Sequence, residues 1–456
     1  MKFMNIVILG LGKVGVELTE LLCSEGHSIT VVDKDPKRIE TTVGLYDVAG
    51  VTGSITSHTV LREAGVVSAD LVIALTGNDE INLTSCLMSK KLGSKNTIAR
   101  VIKPEYSDGI NIIRDDLGLS LSINPERETA SEIARILKFP LAKNVEPFAK
   151  GKVEMIEYEV TANSSMAGRT IIEIFSRMKN PLLACAVERD GKVIIPYGDF
   201  RIEEKDLLTL VGSTERMTAF FREAGIKTTS IKNVIIIGGG NTAYYLASLL
   251  LKTHIDVTVI ELNKSRAERI AELLPEATVI LGDGTDHQLL AEEGIHNADA
   301  LCSMTGVDEE NIIASLYAKT ASDNIKTVTK INRSELTFLA KPLGVGSVVT
   351  PKKIAANIIL RYVRAMENSY YADNVLTLYK IANGRAEALE FAVNEDCSLA
   401  GTPISRLNIA NDIVIASINR KGKIIVPHGN DTMEKGDTVI VVTTRARLDR
   451  LEDIRG

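Results

Sequence analysis

Asn5-Ile6-Val7-Ile8-Leu9-Gly10-Leu11-Gly12-Lys13-Val14-Gly15 is the stretch on which the fold turns. A short apolar, largely β-branched run ends in Gly-x-Gly-x-x-Gly, and the amphipathic stretch Val14 to Glu25 follows, so the order strand, tight loop, helix is expected. In that setting each glycine has a task. Gly10 lets the chain turn, Gly12 lets a pyrophosphate approach bare backbone, and Gly15 lets helix pack closely on sheet. The helix N-terminus then offers unpaired N–H groups and a positive dipole end to phosphates. Asp33 lies 23 residues after Gly10, at the end of the next expected strand, Ser28 to Val32. That is close to the roughly 20-residue spacing of a ribose-binding acid. A carboxylate there accepts hydrogen bonds from ribose hydroxyls and repels a 2′-phosphate, which favours NAD over NADP; ATP and ADP carry the same ribose and fit the same argument. The rival reading is a relic loop whose glycines only close a turn.

Working outward, Val48 to Val51, Leu71 to Leu75 and Thr97 to Val101 read as further strands separated by helical periods. Strands alternating with helices imply βαβ crossovers and a doubly wound parallel sheet. After Pro125 the run Glu126 to Leu137 places Ile133, Ile136 and Leu137 on one helical face. The chain then changes character: Val153 to Val160, Leu182 to Val187, Val193 to Ile195 and Leu207 to Val211 are short strands broken by turn residues such as Asp190-Gly191, typical of a small β-rich module.

The whole arrangement occurs twice. Asn5 to Gly12 returns as Asn233-Val234-Ile235-Ile236-Ile237-Gly238-Gly239-Gly240, and Val31-Val32-Asp33 as Val259-Ile260-Glu261, both 228 residues on. Leu75-Thr76-Gly77 with Asp79-Glu80 and Asn82 returns as Met304-Thr305-Gly306 with Asp308-Glu309 and Asn311. Asn124-Pro125-Glu126 matches Thr350-Pro351-Lys352, and Gly191 to Gly198 matches Gly422 to Gly429. The expected architecture is therefore α/β: two doubly wound parallel-sheet Rossmann domains, each followed by a small β-rich α+β module, with boundaries at 1–138, 139–225, 226–364 and 365–456. A short join near 224–232 implies that the halves touch. In the second copy Ala243 replaces the third glycine and Glu261 the acid; an empty, degenerate pocket and an occupied one are both compatible with these changes.

Composition excludes several functions. The chain has 456 residues, 45% hydrophobic and 25% charged, with a net charge of −6. A mildly acidic chain lacks the general positive field that draws proteins to nucleic acid or anionic lipid, and without tryptophan a base-stacking surface is not expected. No run approaches the roughly 18 apolar residues of a membrane span. The five cysteines are widely spaced with no Cys-x-x-Cys, so they read as small buried apolar residues in a reducing compartment. The six histidines show no metal spacing, and there is no Gly-x-Ser-x-Gly and no P-loop. A dehydrogenase would need a proton-transfer group beside the nicotinamide and a substrate domain. An NAD-dependent oxidoreductase of a small metabolite is thus the rival to a reading as a nucleotide sensor with no catalytic residue and no metal.

The Gly10 to Gly15 loop with Asp33, the Thr76-Gly77 turn with Asn82, Ala99-Arg100-Val101, the Pro125 helix, and the signature from Asp190-Gly191 through Pro196 to Asp206 together resemble the TrkA family, the peripheral NAD-binding regulatory subunits of Trk potassium-uptake systems, built from duplicated regulator-of-potassium-conductance (RCK) domains. The resemblance covers nearly the whole chain. It implies a cytoplasmic homo-oligomer, a homotetramer, docked at the inner face of the cell membrane on an integral-membrane potassium transporter subunit, with a shape that responds to NAD(H) or ATP/ADP. Similar domains also serve other cation channels and antiporters. By the resemblance, Gly10, Leu11, Gly12, Lys13, Val14 and Gly15 cradle the pyrophosphate, Asp33 holds the ribose, Gly53, Ser54, Thr76 and Gly77 flank the ligand, and Arg100 lies at the next strand. The second-copy counterparts are Gly238, Gly240, Glu261, Asp283, Thr305, Gly306 and Lys330.

The sequence departs from the family pattern in three places. The family's Gly-Asp after the third strand is kept as Gly282-Asp283 but is Gly53-Ser54 in the first copy; Lys330 replaces an arginine and loses its planar fork; and Lys205 stands where the second copy has Gly436. The helices beginning near Pro125 and Pro351 are expected to carry a ligand-driven shift between lobes.

Overall fold

The computed structural model describes residues 4–103, 106, 109–140, 142–148, 153–162, 164–176, 182–224, 231–322, 324–371, 375–382, 385–445, 448 and 450–456. Most of the expected join at 224–232, and the expected boundary at 225/226, lie outside them. The chain divides into two compact units, Met1–Lys138 with Ser230–Leu360, and Phe139–Thr229 with Arg361–Gly456.

The first unit holds two six-stranded parallel sheets. In the first copy β1 (Asn5–Leu9), β2 (Ser28–Asp33), β3 (Ala49–Thr52), β4 (Leu71–Ala74), β5 (Asn96–Arg100) and β6 (Leu121–Ile123) lie in the order 3-2-1-4-5-6, the Rossmann order. Ile8 and Leu9 of the central strand and Val31 and Val32 beside it are at or near zero exposure, because helices cover both faces of a parallel sheet. The second copy repeats this order with strands Asn233–Ile237, Asp256–Glu261, Thr278–Leu281, Ala300–Ser303, Lys326–Lys330 and Ser347–Val349.

The crossover helix Pro125–Lys138 leaves the first sheet and sets Ala130, Ile133 and Leu137 into the core of the second copy, with Val234, Leu246, Leu250 and Val328. The face read from the sequence as apolar is thus buried, and what covers it is the other copy. Burying Ile133 and Leu137 is worth roughly 1.5–3 kcal/mol each. Polar contacts follow the same path: Asn124 Nδ2 donates to Tyr245 Oη at 3.1 Å, and Tyr245 Oη to Ile102 O at 3.3 Å. In the reciprocal direction Lys352, at the start of helix Pro351–Tyr371, pairs with Glu17 on the first helix, Lys13–Ser24, at 3.1 Å.

The second unit holds two five-stranded sheets, one per copy. The first contains strands Ala142–Phe148, Val153–Glu159, Leu183–Arg189, Lys192–Ile194 and Leu207–Gly212, all pairings antiparallel. The second contains Val375–Ile381, Ala386–Ala392, Ile413–Arg420, Lys423–Ile425 and Thr438–Thr443. Along Val153–Glu159 consecutive residues are buried because both faces are covered: Val153 and Met155 meet Ala388, Ile440 and Val442 of the other sheet, while Ile156 and Tyr158 join Leu208, Leu210 and Phe220. A repeated clamp closes each module, Arg189 on buried Asp206 with two contacts of 2.7 Å and Arg420 on buried Asp437 at 2.8 Å. Before each acid the chain takes a left-handed turn, at Gly436 with φ +84° and at Lys205 with φ +70°. The first module therefore forms this turn without glycine, against a steric cost that the Arg189–Asp206 clamp and the sheet must hold. Among the cysteines, Cys86, Cys185, Cys302 and Cys397 are buried and Cys23 is half-buried; burial alone pushes the Cys302 thiol up to about 12.

Candidate functional site

The loop after β1 is shaped by contacts that a side chain would destroy. Gly10 has φ +102°, and a Cβ there would sit 2.9 Å from Thr76 Cγ2; a Cβ on Gly15 would sit 2.1 Å from the carbonyl oxygen of Gly10. These two glycines serve the fold. Gly12 is different: it is extended, and a Cβ there would meet nothing within 4 Å of the protein. The space in front of it is what the fold leaves open. Gly12 is also the N-cap of helix Lys13–Ser24, with no side-chain cap and no acid in the first turn, so the positive end of the helix faces that space uncompensated.

That space is a cavity of about 570 Å³. Of the first-copy candidates, Gly10, Gly12, Lys13, Val14, Asp33, Gly53, Ser54, Thr76, Gly77 and Arg100 line it. Leu11 and Gly15 do not: Leu11 is buried and contributes its backbone, and Gly15 is the helix-on-strand contact. Lys34, Arg38, Ile55, Leu75, Asn78 and Ile81 also line the cavity and were not foreseen. For Arg38 a signal existed, since Arg266 recurs 228 residues on, and Leu75 stands in the repeated Leu75-Thr76-Gly77; Lys34, Ile55, Asn78 and Ile81 belong to no such motif.

Asp33 is 6% exposed and held in place. Its Oδ2 accepts from Leu11 N at 2.7 Å and its Oδ1 from Asp35 N at 2.9 Å, with Arg38 Nη1 3.8 Å from Oδ2. Each carboxylate oxygen has two lone-pair directions, so one remains on each for an incoming diol. Asn82, fully buried, fixes the chain just after β4: its Oδ1 accepts from Thr76 N at 2.9 Å and Thr76 Oγ1 at 2.7 Å, and its Nδ2 donates to Thr76 O and Arg100 O. Arg100 donates to Thr76 O at 3.2 Å and stands 3.4 Å from Glu126. Ser54, where the family pattern has an acid, shares a 3.0 Å hydrogen bond with Thr56.

The second copy reproduces the scaffold with different charges. Gly238 has φ +96° and Gly240 again has open space in front of it. Asn311 takes the part of Asn82, accepting from Thr305 N and donating to Lys330 O, so that the Thr305-Gly306 turn ends the fourth strand as Thr76-Gly77 does. Glu261 reaches further than Asp33. Its Oε2 accepts from Gly239 N at 2.5 Å, and its Oε1 from both Asn263 N and Arg266 Nη2 at 2.7 Å. Burial pushes this carboxyl up, but the Arg266 guanidinium and the N–H groups of Asn263 and Gly239 outweigh that and hold it below the usual range. Asp283 turns into its own loop, where the N–H and hydroxyl of Thr285 hold it low. Lys330 donates to Met304 O at 2.8 Å.

Among the described residues no cluster of His, Cys, Asp and Glu is placed to hold a metal, and no helix is long and apolar enough to cross a membrane.

Comparison with known proteins agrees with this architecture. The TrkA-N domain model matches residues 6–125 and again 234–351, and the TrkA-C domain model matches 155–225 and 388–456. The chain is 32% identical over 457 residues to the Trk system potassium uptake protein TrkA homolog 1 of Methanosarcina mazei, covering 98% of this chain and 99% of that one. It is 31% identical over 447 residues to the Trk system potassium uptake protein TrkA of Haemophilus influenzae, covering 96% and 95%. Among solved structures, the GsuK channel bound to NAD superposes with a TM-score of 0.65 at 21% identity, over 97% of this chain and 77% of that one, which shows the shared fold. With both domain models matching in tandem and relatives at this identity along its whole length, the chain belongs to the TrkA family.

Proposed function

We propose that this chain is the regulatory subunit of a potassium-uptake transporter, and that it takes an adenosine ligand, NAD(H) or ATP/ADP, in the first Rossmann pocket. The single observation that carries the ligand is the pinned Asp33 lining the same cavity as the bare backbone of Gly12 at an uncapped helix N-terminus. An acceptor for ribose hydroxyls and donors for phosphate thus line one space. The regulatory role rests on the full-length likeness to relatives named as potassium uptake proteins.

The first copy is the favoured ligand site. Asp33 keeps a lone pair open on each oxygen, whereas Glu261 has three donors already on it. No histidine, cysteine or tyrosine is among the cavity-lining residues and Asp33 is assigned to the ribose, which supports reading the site as one for binding. The residues proposed to touch ligand are Gly10, Gly12, Lys13, Val14, Asp33, Gly53, Ser54, Thr76, Gly77 and Arg100, with Leu11 and Gly15 shaping the loop. We place the protein at the inner face of the membrane as a homo-oligomer of four-domain chains, docked on an integral-membrane transporter. Ligand acts by its difference in affinity between two assembly states, transmitted by the helices that cross between the Rossmann copies.

Isothermal titration with NAD, NADH, NADP, ATP and ADP, paired with potassium flux through the reconstituted transporter, tests this. Saturable binding of NADH or ATP that changes flux supports the reading. Binding that leaves flux untouched, or hydride exchange with a substrate, overturns it.

A further inference from the structure

Part of the first cavity is apolar, and neither ribose nor phosphate makes use of it. Ile55, Leu75 and Ile81 line it there. Leu75 and Ile55 are 2% and 6% exposed and belong to the packed interior, but Ile81 is 41% exposed. Its place is nevertheless fixed. Ile81 is the third residue of helix Asp79–Leu92, and its N–H donates to Oδ1 of the N-cap residue Asn78 at 2.8 Å. At this position glutamate or glutamine would complete a capping box, so helix formation does not call for isoleucine. A large apolar side chain that stands on a cavity wall and is still far from covered offers its surface to whatever fills the cavity.

The second copy shows the same fold without that wall. It keeps the glycine loop, and Asn311 for Asn82, but it has Gly284 at the place of Ile55 and Glu310 at the place of Ile81. At Gly284 even a Cβ would lie 2.2 Å from Ile237 Cγ2, so no side chain extends from there. The sheet order tells which part of a nucleotide meets the wall in the first copy. Gly12 follows β1, Asp33 ends β2, and Ile55 lies just after β3, the strand on the outer side of β2. On the proposed reading, phosphate at the first of these and ribose at the second carry the base toward the third. The nearby hydroxyl of Ser54 is already shared with Thr56 at 3.0 Å, so Ile55 is the surface this loop offers a ring.

We infer that Ile81, together with Ile55, is a specificity-determining residue of the first pocket: the two make an apolar wall against the base, and ligands are ranked by the ring area they lay on it, a purine above a pyrimidine. Asp33 and Gly12 meet groups that every ribonucleotide carries, so they do not rank nucleotides by base. The wall does, because the gain from covering apolar surface is non-directional and grows with area, and a two-ring base covers more of Ile81 than a one-ring base. This deepens the reading of the pocket as an adenosine site and rests on it.

Titration of the full chain with ADP, UDP and NADH tests it. Wild type is expected to bind ADP about tenfold more tightly than UDP. Ile81→Gln, which keeps a side chain suited to the third position of the helix, is expected to weaken ADP and NADH alike by about fivefold and UDP by at most about twofold, while Ile81→Val retains most of the preference for ADP. Equal binding of ADP and UDP by wild type, or an ADP-to-UDP ratio that Ile81→Gln leaves unchanged, overturns the inference. A loss for NADH with none for ADP does so too, since it would set Ile81 against the nicotinamide. Should Ile81→Gln lose its cooperative melt, Ile81→Ala is read by the same ratio. Asp33→Ala is expected to weaken all three ligands together. Undiminished binding there overturns the adenosine-site reading itself, whereas a loss there with an unchanged ratio in Ile81→Gln overturns the wall alone.

Discussion

The two Rossmann copies share strand order, loop geometry and the asparagine that fixes the end of the fourth strand, and they differ in what surrounds the acid. In the first copy two backbone N–H groups aim Asp33 and Arg38 stays 3.8 Å away. In the second, a carboxylate one methylene longer gathers Gly239, Asn263 and Arg266. One extra methylene thus turns an outward-facing acceptor into an internal one. Backbone placement follows from the repeated glycines and apolar runs, whereas the capacity to bind is decided by how many lone pairs the protein leaves unused.

The comparison breaks most severely if the copies are independent, and Ile133→Ala asks this. Ile133 belongs to the first copy in sequence and to the core of the second in space, with no exposed surface. Truncation is expected to cost about 3–4 kcal/mol, lost dispersion plus a cavity. Hydrogen exchange should lose protection first in strands Asn233–Ile237 and Lys326–Lys330. Loss confined to the first sheet would show that the helix belongs to its own copy.

The acids come next. On the proposed reading Asp33→Ala removes a charged acceptor of two ribose hydroxyls, and nucleotide affinity is expected to fall about a hundredfold, while Glu261→Ala leaves the same titration within a factor of about two. Equal losses would mean that both pockets hold ligand. Gly15→Ala sharpens the contrast through stability: its Cβ meets the Gly10 carbonyl at 2.1 Å, so about 1–3 kcal/mol is expected from overpacking, although the second copy carries Ala243 at that position. A melt unchanged by Gly15→Ala would show that the first loop relaxes as the second has.

The legible part of this molecule is the part governed by periodicity. β1, the loop, the helix after it, Asp33 and the internal repeat all follow from apolar spacing and glycine positions within one copy. What escaped depends on neighbours that are remote in sequence. β6 is three residues long and takes its identity from pairing with β5. Strand Ala142–Phe148 contains Pro147 and survives as a strand because it is a sheet edge, where a missing N–H is tolerated. The helix face with Ile133 was readable as apolar, but its covering surface, more than a hundred residues away in sequence, was not. Lys34 and Ile55 reach the cavity from the segments after β2 and β3, and Ile81 from the first turn of helix Asp79–Leu92, places that no apolar period marks.

The smallest expected effect separates the acids by pH. Glu261 titrates below the ordinary carboxyl value of 4.5, so its hydrogen bonds stabilise the folded chain fully above that value, and the contribution is lost as pH falls through the lowered folded pKa. Glu261→Gln keeps an acceptor toward Gly239 but meets Arg266 without charge, and is expected to cost about 1 kcal/mol at pH 7. Chemical denaturation of wild type and variant at pH 7 and then at steps below 4.5 should show the gap closing with acid. A gap of the same size at every pH would mean that packing around the longer side chain, and not its charge, holds the second acid in place, and the difference between the two copies would then be one of shape.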